Sequence, residues 1–381
     1  MRNYFYIFLG LHSFLIGLFP FYIPVYLYAN GFSLTAICLF IAITGLGFCL
    51  CLFIFDRVSQ YIAFPYLVVF SYIIELVLLS LFLLEKSHFF LITAALVNGI
   101  FNCNFWIIQR LLFLETINTE NSGKNFGNFQ LFVLVILKMA IFLGGLLLES
   151  SGFLSLYIVS IAVVVLSSVV FLKTSLRVEF RNKWRDDQSL KISEVFSFED
   201  RFRSKLVFAI DGIFLYLESY FWLITLFLIV HESFSRLALL VILLTVLFGF
   251  LFIIIKNRID KISVDAFYKS AVVLYTFSWL LRAFAPEVHQ KITLLVVLAC
   301  ITFCTSIFRL VFNKRFFDIA QSARPHEYIF MKSYYSQGFL TFFTLIPLGV
   351  SLVTEDIIVQ LSYVYVGAAV LSMTYLFYRT K

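Results

Sequence analysis

Charge is scarce in this chain. Of its 381 residues only 13% are Asp, Glu, Lys or Arg, while 62% are hydrophobic; an ordinary soluble domain carries about 25% charged residues. So few polar groups cannot cover a water-soluble fold, and a mean hydropathy of +0.98 points the same way. Histidine is rarer still, with five residues. None of them (His12, His88, His231, His289, His326) forms a His-x-x-x-His pair. His231-Glu232 opens like a zinc-protease motif, but position 235 is Ser. A phosphate-cradling Gly-x-x-x-x-Gly-Lys run is also missing, which argues against ATP-driven transport by this chain alone. The six cysteines all fall in apolar segments. Cys300 and Cys304 share a helix face, but nothing nearby completes the four ligands that zinc takes. The chain therefore reads as neither an enzyme nor a metal or cofactor protein. Its net charge of +7 reflects where the basic residues sit, not nucleic-acid binding.

What is abundant is long apolar sequence. Twelve runs are long enough to cross a bilayer: roughly 4–28, 34–55, 64–84, 89–112, 129–148, 153–172, 206–230, 236–255, 265–285, 292–313, 328–352 and 357–378. The first has no small-residue cleavage site after it and is expected to remain as a span. Most connections are short. The exception, 173–205, carries nine Lys/Arg and six Asp/Glu. Twelve spans put both termini on one side, and Lys/Arg then sort sharply to that side. Only Lys86, Arg236 and Lys291 lie in opposite loops. By the positive-inside rule the termini and the long loop are cytoplasmic. The expected fold is an all-α polytopic membrane protein of two six-helix bundles, 1–172 and 206–381, joined by the charged linker 173–205. Within the linker, "SLKISEVFSFEDRF" reads either as a short amphipathic helix on the membrane surface or as a solvated strand of charge. The halves are weakly alike: 32–58 and 234–259 both open on Phe-Ser, contain Gly-Phe and close on Asp-Arg or Asn-Arg.

This plan resembles the major facilitator superfamily. The loop "FDRVSQY" keeps that family's Asp-Arg pair (Asp56, Arg57), although Leu52 and Ser59 stand where its glycines are expected. "RLLFLETINTENSGKNFG" (110–127) is similar to the family's loop after span four. "FLGGLLLESSGF" has a double glycine (Gly144, Gly145) without the proline of many antiporters, which argues against drug–proton antiport. The resemblance implies two pseudo-symmetric halves and a central cavity lined by spans one, four, seven and ten. It also implies a secondary transporter of a small organic solute, proton-coupled, with no nucleic-acid partner. Bilayer-embedded, monomeric and sited in a bacterial inner membrane, such a chain more often exports. The alternatives are a coupled importer of an organic anion, amino acid or small peptide, and a non-transporting sensor or scaffold.

Polar residues inside the spans are the candidate site, because a charge in hydrocarbon is costly and is retained facing a bundle interior or a water-filled cavity. Asp211 and Glu218 lie seven residues apart in span seven, with Trp222 and Thr225 continuing their stripe. Span four carries Asn98, Asn102, Trp106 and Gln109; span ten carries Thr302, Thr305, Ser306, Arg309 and Asn313; span one carries His12, Pro20 and Pro24. Burial disfavours the charged form of a carboxyl, so Glu218 and Asp211 are the candidate proton-coupling acids. Arg309 is expected to favour an anionic or zwitterionic substrate or to hold Glu218 ionised. Trp106, Trp222, Tyr216 and Tyr220 offer aromatic contacts. Lys138 in span five is expected either to reach the cavity or to pair with Glu75 of span three. Arg282 and Lys332, near span ends, are expected to snorkel to the interface. For gating, the resemblance implies that Asp56 pairs with Arg110 or sits at the N-terminal end of span eleven, next to Arg57.

Overall fold

The computed structural model describes residues 2–62, 64–116, 122–175, 189–256, 264–322, 324–346 and 354–379. Twelve helical segments follow one another through these residues, and each overlaps an expected span. Span one is Arg2–Leu18 and Ile23–Ala29, joined by the 3₁₀ turn Pro20–Tyr22. Spans two to six are Leu34–Val58, Phe64–Leu81, His88–Thr116, Ser122–Ser150 and Gly152–Ser175. Span seven is Ser204–Tyr216, the π segment Leu217–Phe221 and Trp222–Ile229. Spans eight to ten are Phe234–Lys256, Val264–Phe284 and Lys291–Ser322. Span eleven is Pro325–Gly338, continued as the 3₁₀ segment Phe339–Thr344, and span twelve is Ile357–Ser372. Among the described residues, seven helices are long and apolar enough to cross a membrane unaided; the bent pair of span one makes an eighth.

Local chemistry sets the breaks. Pro20 and Pro24 cannot donate to a helix ladder, and span one bends by 42° between Leu18 and Pro20. Ser33 caps span two, accepting from the Ala36 N–H at 3.3 Å. Asp356 caps span twelve through the N–H groups of Ile358 and Val359. The outward stripe of span three, Tyr66, Phe70, Ile73 and Val77, is exposed apolar surface, while Ser71, Tyr72 and Glu75 on its other face are fully buried. That inverts a soluble helix and is the pattern of one facing lipid.

Two sets of contacts build the molecule. Within the first half, span two packs on four, one on five, and three on four and six; within the second, nine packs on ten and twelve. Gly47 and Gly99 allow spans two and four to cross closely: a Cβ on Gly99 would strike the Thr44 carbonyl, and one on Gly47 would stand 2.5 Å from the Leu96 carbonyl. Between the halves, span five meets eight and ten, and span two meets eleven. The linker residues 189–205 contain the short helix Ile192–Phe196, so a helix forms in the expected stretch. Residues 176–188 and 117–121 lie outside the described residues, which removes from view much of the linker and of the loop after span four. We call the face carrying 189–205 the linker side.

Candidate substrate cavity

A cavity of about 400 Å³ lies between the halves. Span one contributes Ile16, Pro20, Phe21 and Pro24; span four contributes Asn98, Asn102, Trp106, Gln109 and Arg110. From the second half come Asp211, Tyr216, Glu218 and Tyr220 of span seven, Arg309 and Asn313 of span ten, and Lys332 and Gln337 of span eleven. The four proposed cavity helices all line it. A hollow of about 640 Å³ beside the linker is lined by Glu199, Asp200, Arg203, Lys205 and apolar neighbours, and holds none of the intramembrane charges.

The wall from the second half is a charge cluster. Arg309 holds both acids of span seven: Nη1 is 2.6 Å from Asp211 Oδ1 and Nε is 3.0 Å from Glu218 Oε2. Lys332 Nζ lies 3.0 Å from Asp211 Oδ2. Two tyrosines complete the shell. Tyr375 donates to Asp211 at 2.9 Å, and Tyr275 donates to Glu218 at 2.5 Å. Asp211 is fully buried, whereas Glu218 keeps 18% of its side chain exposed on the cavity. A buried carboxylate needs such partners, since stripping an ion of water costs several kcal/mol. Asp211 thus has two cations and a hydroxyl around it. Glu218 has one cation and one hydroxyl and keeps part of its surface on the cavity. Across the gap, Asn98 donates to the Tyr220 hydroxyl at 3.3 Å, a contact between the halves.

The expected site residues divide. Asn98, Asn102, Trp106, Asp211, Glu218 and Arg309 line the cavity together. Trp222 does not. Its ring lies 6.1 Å from Tyr365 and 5.2 Å from the Arg282 guanidinium, inside the second half, and Thr225 meets the Tyr365 hydroxyl at 2.6 Å. The π segment explains this: one extra residue in the turn advances the register, so Ser219 and Leu223 reach the cavity in place of Trp222 and Thr225. His12 is also elsewhere. It is fully buried within the first half, stacked on Tyr72 at 4.0 Å, with Nε2 2.8 Å from Ser71 Oγ and Nδ1 3.5 Å from Glu75. His12, not Lys138, therefore faces Glu75. Lys138 Nζ instead lies 5.8 Å from the ring centre of the cavity residue Phe21.

The charged ends also differ from expectation. Arg282 and Lys332 are buried, not snorkelling. Arg282 lies 4.2 Å from the Trp279 ring centre and donates to Ser278 and Thr305. Lys332, whose place in the cluster its position near a span end concealed, is held by Asp211, as are Tyr375 and, through Glu218, Tyr275. Asp56 is not paired with Arg110. It accepts from the linker's Leu190 N–H at 2.8 Å and sits 3.9 Å from His326 in the first turn of span eleven. Arg110 donates to Ser333 of span eleven at 2.9 Å. Arg57 folds back on its own helix, over the Phe53 ring at 3.5 Å.

No curated protein matches the sequence significantly. Among solved structures the fold is similar to the nucleoside transporter NupG, with a TM-score of 0.71 at 13% identity over 100% of this chain and 99% of that one. An aspartate-to-alanine variant of NupG gives 0.72 at 13% identity, covering 99% and 98%. The sequence model of the Major Facilitator Superfamily matches residues 5–324. Most of the chain lies within that match, and the protein belongs to the Major Facilitator Superfamily of secondary transporters.

Proposed function

We propose that the chain carries a small polar solute with a flat ring through this cavity by alternating access, coupled to protons at Glu218. The single observation behind this reading is the arrangement of Glu218. It is held by Arg309 and Tyr275 yet remains partly open to a space that both halves enclose. Protonating Glu218 frees Arg309 for the solute, which links solute binding to proton binding. Asn98, Asn102, Gln109 and Gln337 supply donors and acceptors without charge, and Trp106, 41% exposed, presents a ring face. Such a wall suits nucleoside-like solutes, in keeping with the named function of the structural neighbours. Asp56, Arg57 and Arg110 act at the inner gate. The termini lie in the cytoplasm of a bacterial inner membrane by the charge bias of the loops, the chain works as a monomer, and export is the direction many compact superfamily members take.

The test is proton uptake. Purified protein in weak buffer with a pH dye is mixed with solutes from a metabolite library that raise its melting temperature. Wild type is expected to exchange a proton on binding, and Glu218→Gln to bind without exchange. Exchange undiminished in Glu218→Gln would move the coupling site elsewhere. A single cysteine at position 102, reacting from each side in turn, separates a transporter from a scaffold, which needs no such alternation.

A further inference from the structure

The charges on the cavity wall do not balance. Three bases, Arg110, Arg309 and Lys332, line it with two acids, Asp211 and Glu218. Both acids are taken up by Arg309 and Lys332. Arg110, from the opposite half, touches only a hydroxyl, that of Ser333, and among the described residues no carboxylate pairs with it. Arg309 itself keeps one buried nitrogen, Nη2, with no hydrogen-bond partner among the described residues. With both acids ionised, the described residues of the cavity therefore carry one surplus positive charge and unused guanidinium donors on two facing walls. Arg110 is partly exposed to this space. When the halves close and water leaves, the surplus charge requires a counter-ion.

We propose that the transported solute is a monoanion, a flat heteroaromatic ring bearing one carboxylate, whose carboxylate is bound by Arg110. This rests on the transport reading above and names its substrate class. Guanidinium matches a planar carboxylate through paired N–H donors. The placement of the ring follows from the helix. Trp106 is one turn before Arg110 on span four and Asn102 one turn before Trp106, so at 1.5 Å rise per residue successive side chains stand about 6 Å apart. A carboxylate at Arg110 thus lays its ring along Trp106 and its ring heteroatoms toward Asn102. A neutral nucleoside would satisfy the amides and the indole but leave Arg110 without a counter-charge.

The experiment uses matched pairs on the purified full-length protein: nicotinate against nicotinamide and orotate against uracil, with uridine as a neutral reference. Melting temperature and tryptophan fluorescence report binding. The expected result is that at least one carboxylate binds at least tenfold tighter than its neutral partner and than uridine. That preference should vanish in Arg110→Gln and return in part in Arg110→Lys. An Arg110→Gln protein that keeps the wild-type melting temperature without ligand separates loss of charge from loss of folding. Binding of uridine or a neutral partner as tight as that of the acids, undiminished acid binding in Arg110→Gln, or binding of neither carboxylate would overturn the inference. Uridine binding that triggers alternating exposure of the cavity would do so while leaving the transport reading intact; failure of that alternation would remove the reading itself.

Discussion

Arg309 holds two acids at once, which makes it the least replaceable side chain of the cavity. In Arg309→Gln, Asp211 keeps Lys332 and Tyr375, but Glu218 keeps only the Tyr275 hydroxyl. Breaking a buried ion pair from one side costs roughly 3–5 kcal/mol, so this variant should melt well below wild type in detergent. Glu218→Gln should lose only about 1–2 kcal/mol, because the amide oxygen still accepts from Arg309 Nε while the amide N–H can donate to the Tyr275 hydroxyl. Equal losses in the two variants would contradict the assignment of Arg309 as the shared partner. The buried His12–Glu75 pair allows a cleaner comparison. Both Glu75 oxygens are buried without a hydrogen bond, and His12 Nδ1, at 3.5 Å, is the only base in ion-pairing reach among the described residues. His12→Phe should therefore destabilise by roughly 1–3 kcal/mol, the cost of leaving a buried polar group without a partner, while His12→Phe with Glu75→Leu should recover most of that loss. A double variant as unstable as the single would show that the two side chains do not interact.

At the scale of the helix, the polar stripe of span four was legible in the sequence, and that of span ten only at Arg309 and Asn313. The span four stripe Asn98, Asn102, Trp106 and Gln109 lines the cavity in full, because constant periodicity carries one polar residue to the next. In span seven the same arithmetic holds from Asp211 to Glu218 and fails beyond, at the π segment Leu217–Phe221; no residue type announces an inserted residue in a helical turn. Lys332 escaped for another reason. Its partner Asp211 lies 121 positions away, and ion pairs between helices leave no periodic trace. Span seven also depends on a contact that composition hides. Gly212 backs directly onto the Ser336 carbonyl of span eleven, where an added Cβ would collide with backbone. Gly212→Ala should force spans seven and eleven apart, lowering stability by about 1–3 kcal/mol and disturbing the Lys332–Asp211 pair one residue away. Full stability and unchanged ligand binding in that variant, measured by melting temperature, would mean that the two helices are not packed as closely as described.

For the whole molecule, the halves touch on both sides of the cavity, and the balance of these contacts sets which side opens. On the linker side Asp56 binds Leu190 N–H, Arg110 binds Ser333, and the rings of Phe113 and Phe317 stand 4.7 Å apart. On the far side, Glu149 at the end of span five accepts from the Ser233 hydroxyl at 3.0 Å and the Ser235 N–H at 3.2 Å, at the start of span eight. Each set stabilises closure of its own side only, so weakening one shifts the population toward opening there. A hydrogen bond worth about 1 kcal/mol moves a two-state ratio roughly fivefold. Glu149→Ala should accordingly raise the reactivity of a cysteine at position 102, in a background without the native cysteines, toward an impermeant thiol reagent added from the far side. Asp56→Ala should raise it from the linker side and lower it from the far side. Opposite responses are the signature of one equilibrium between two closures. Reactivity rising from the same side in both variants would mean that these contacts merely hold the fold together, and that the gates lie elsewhere.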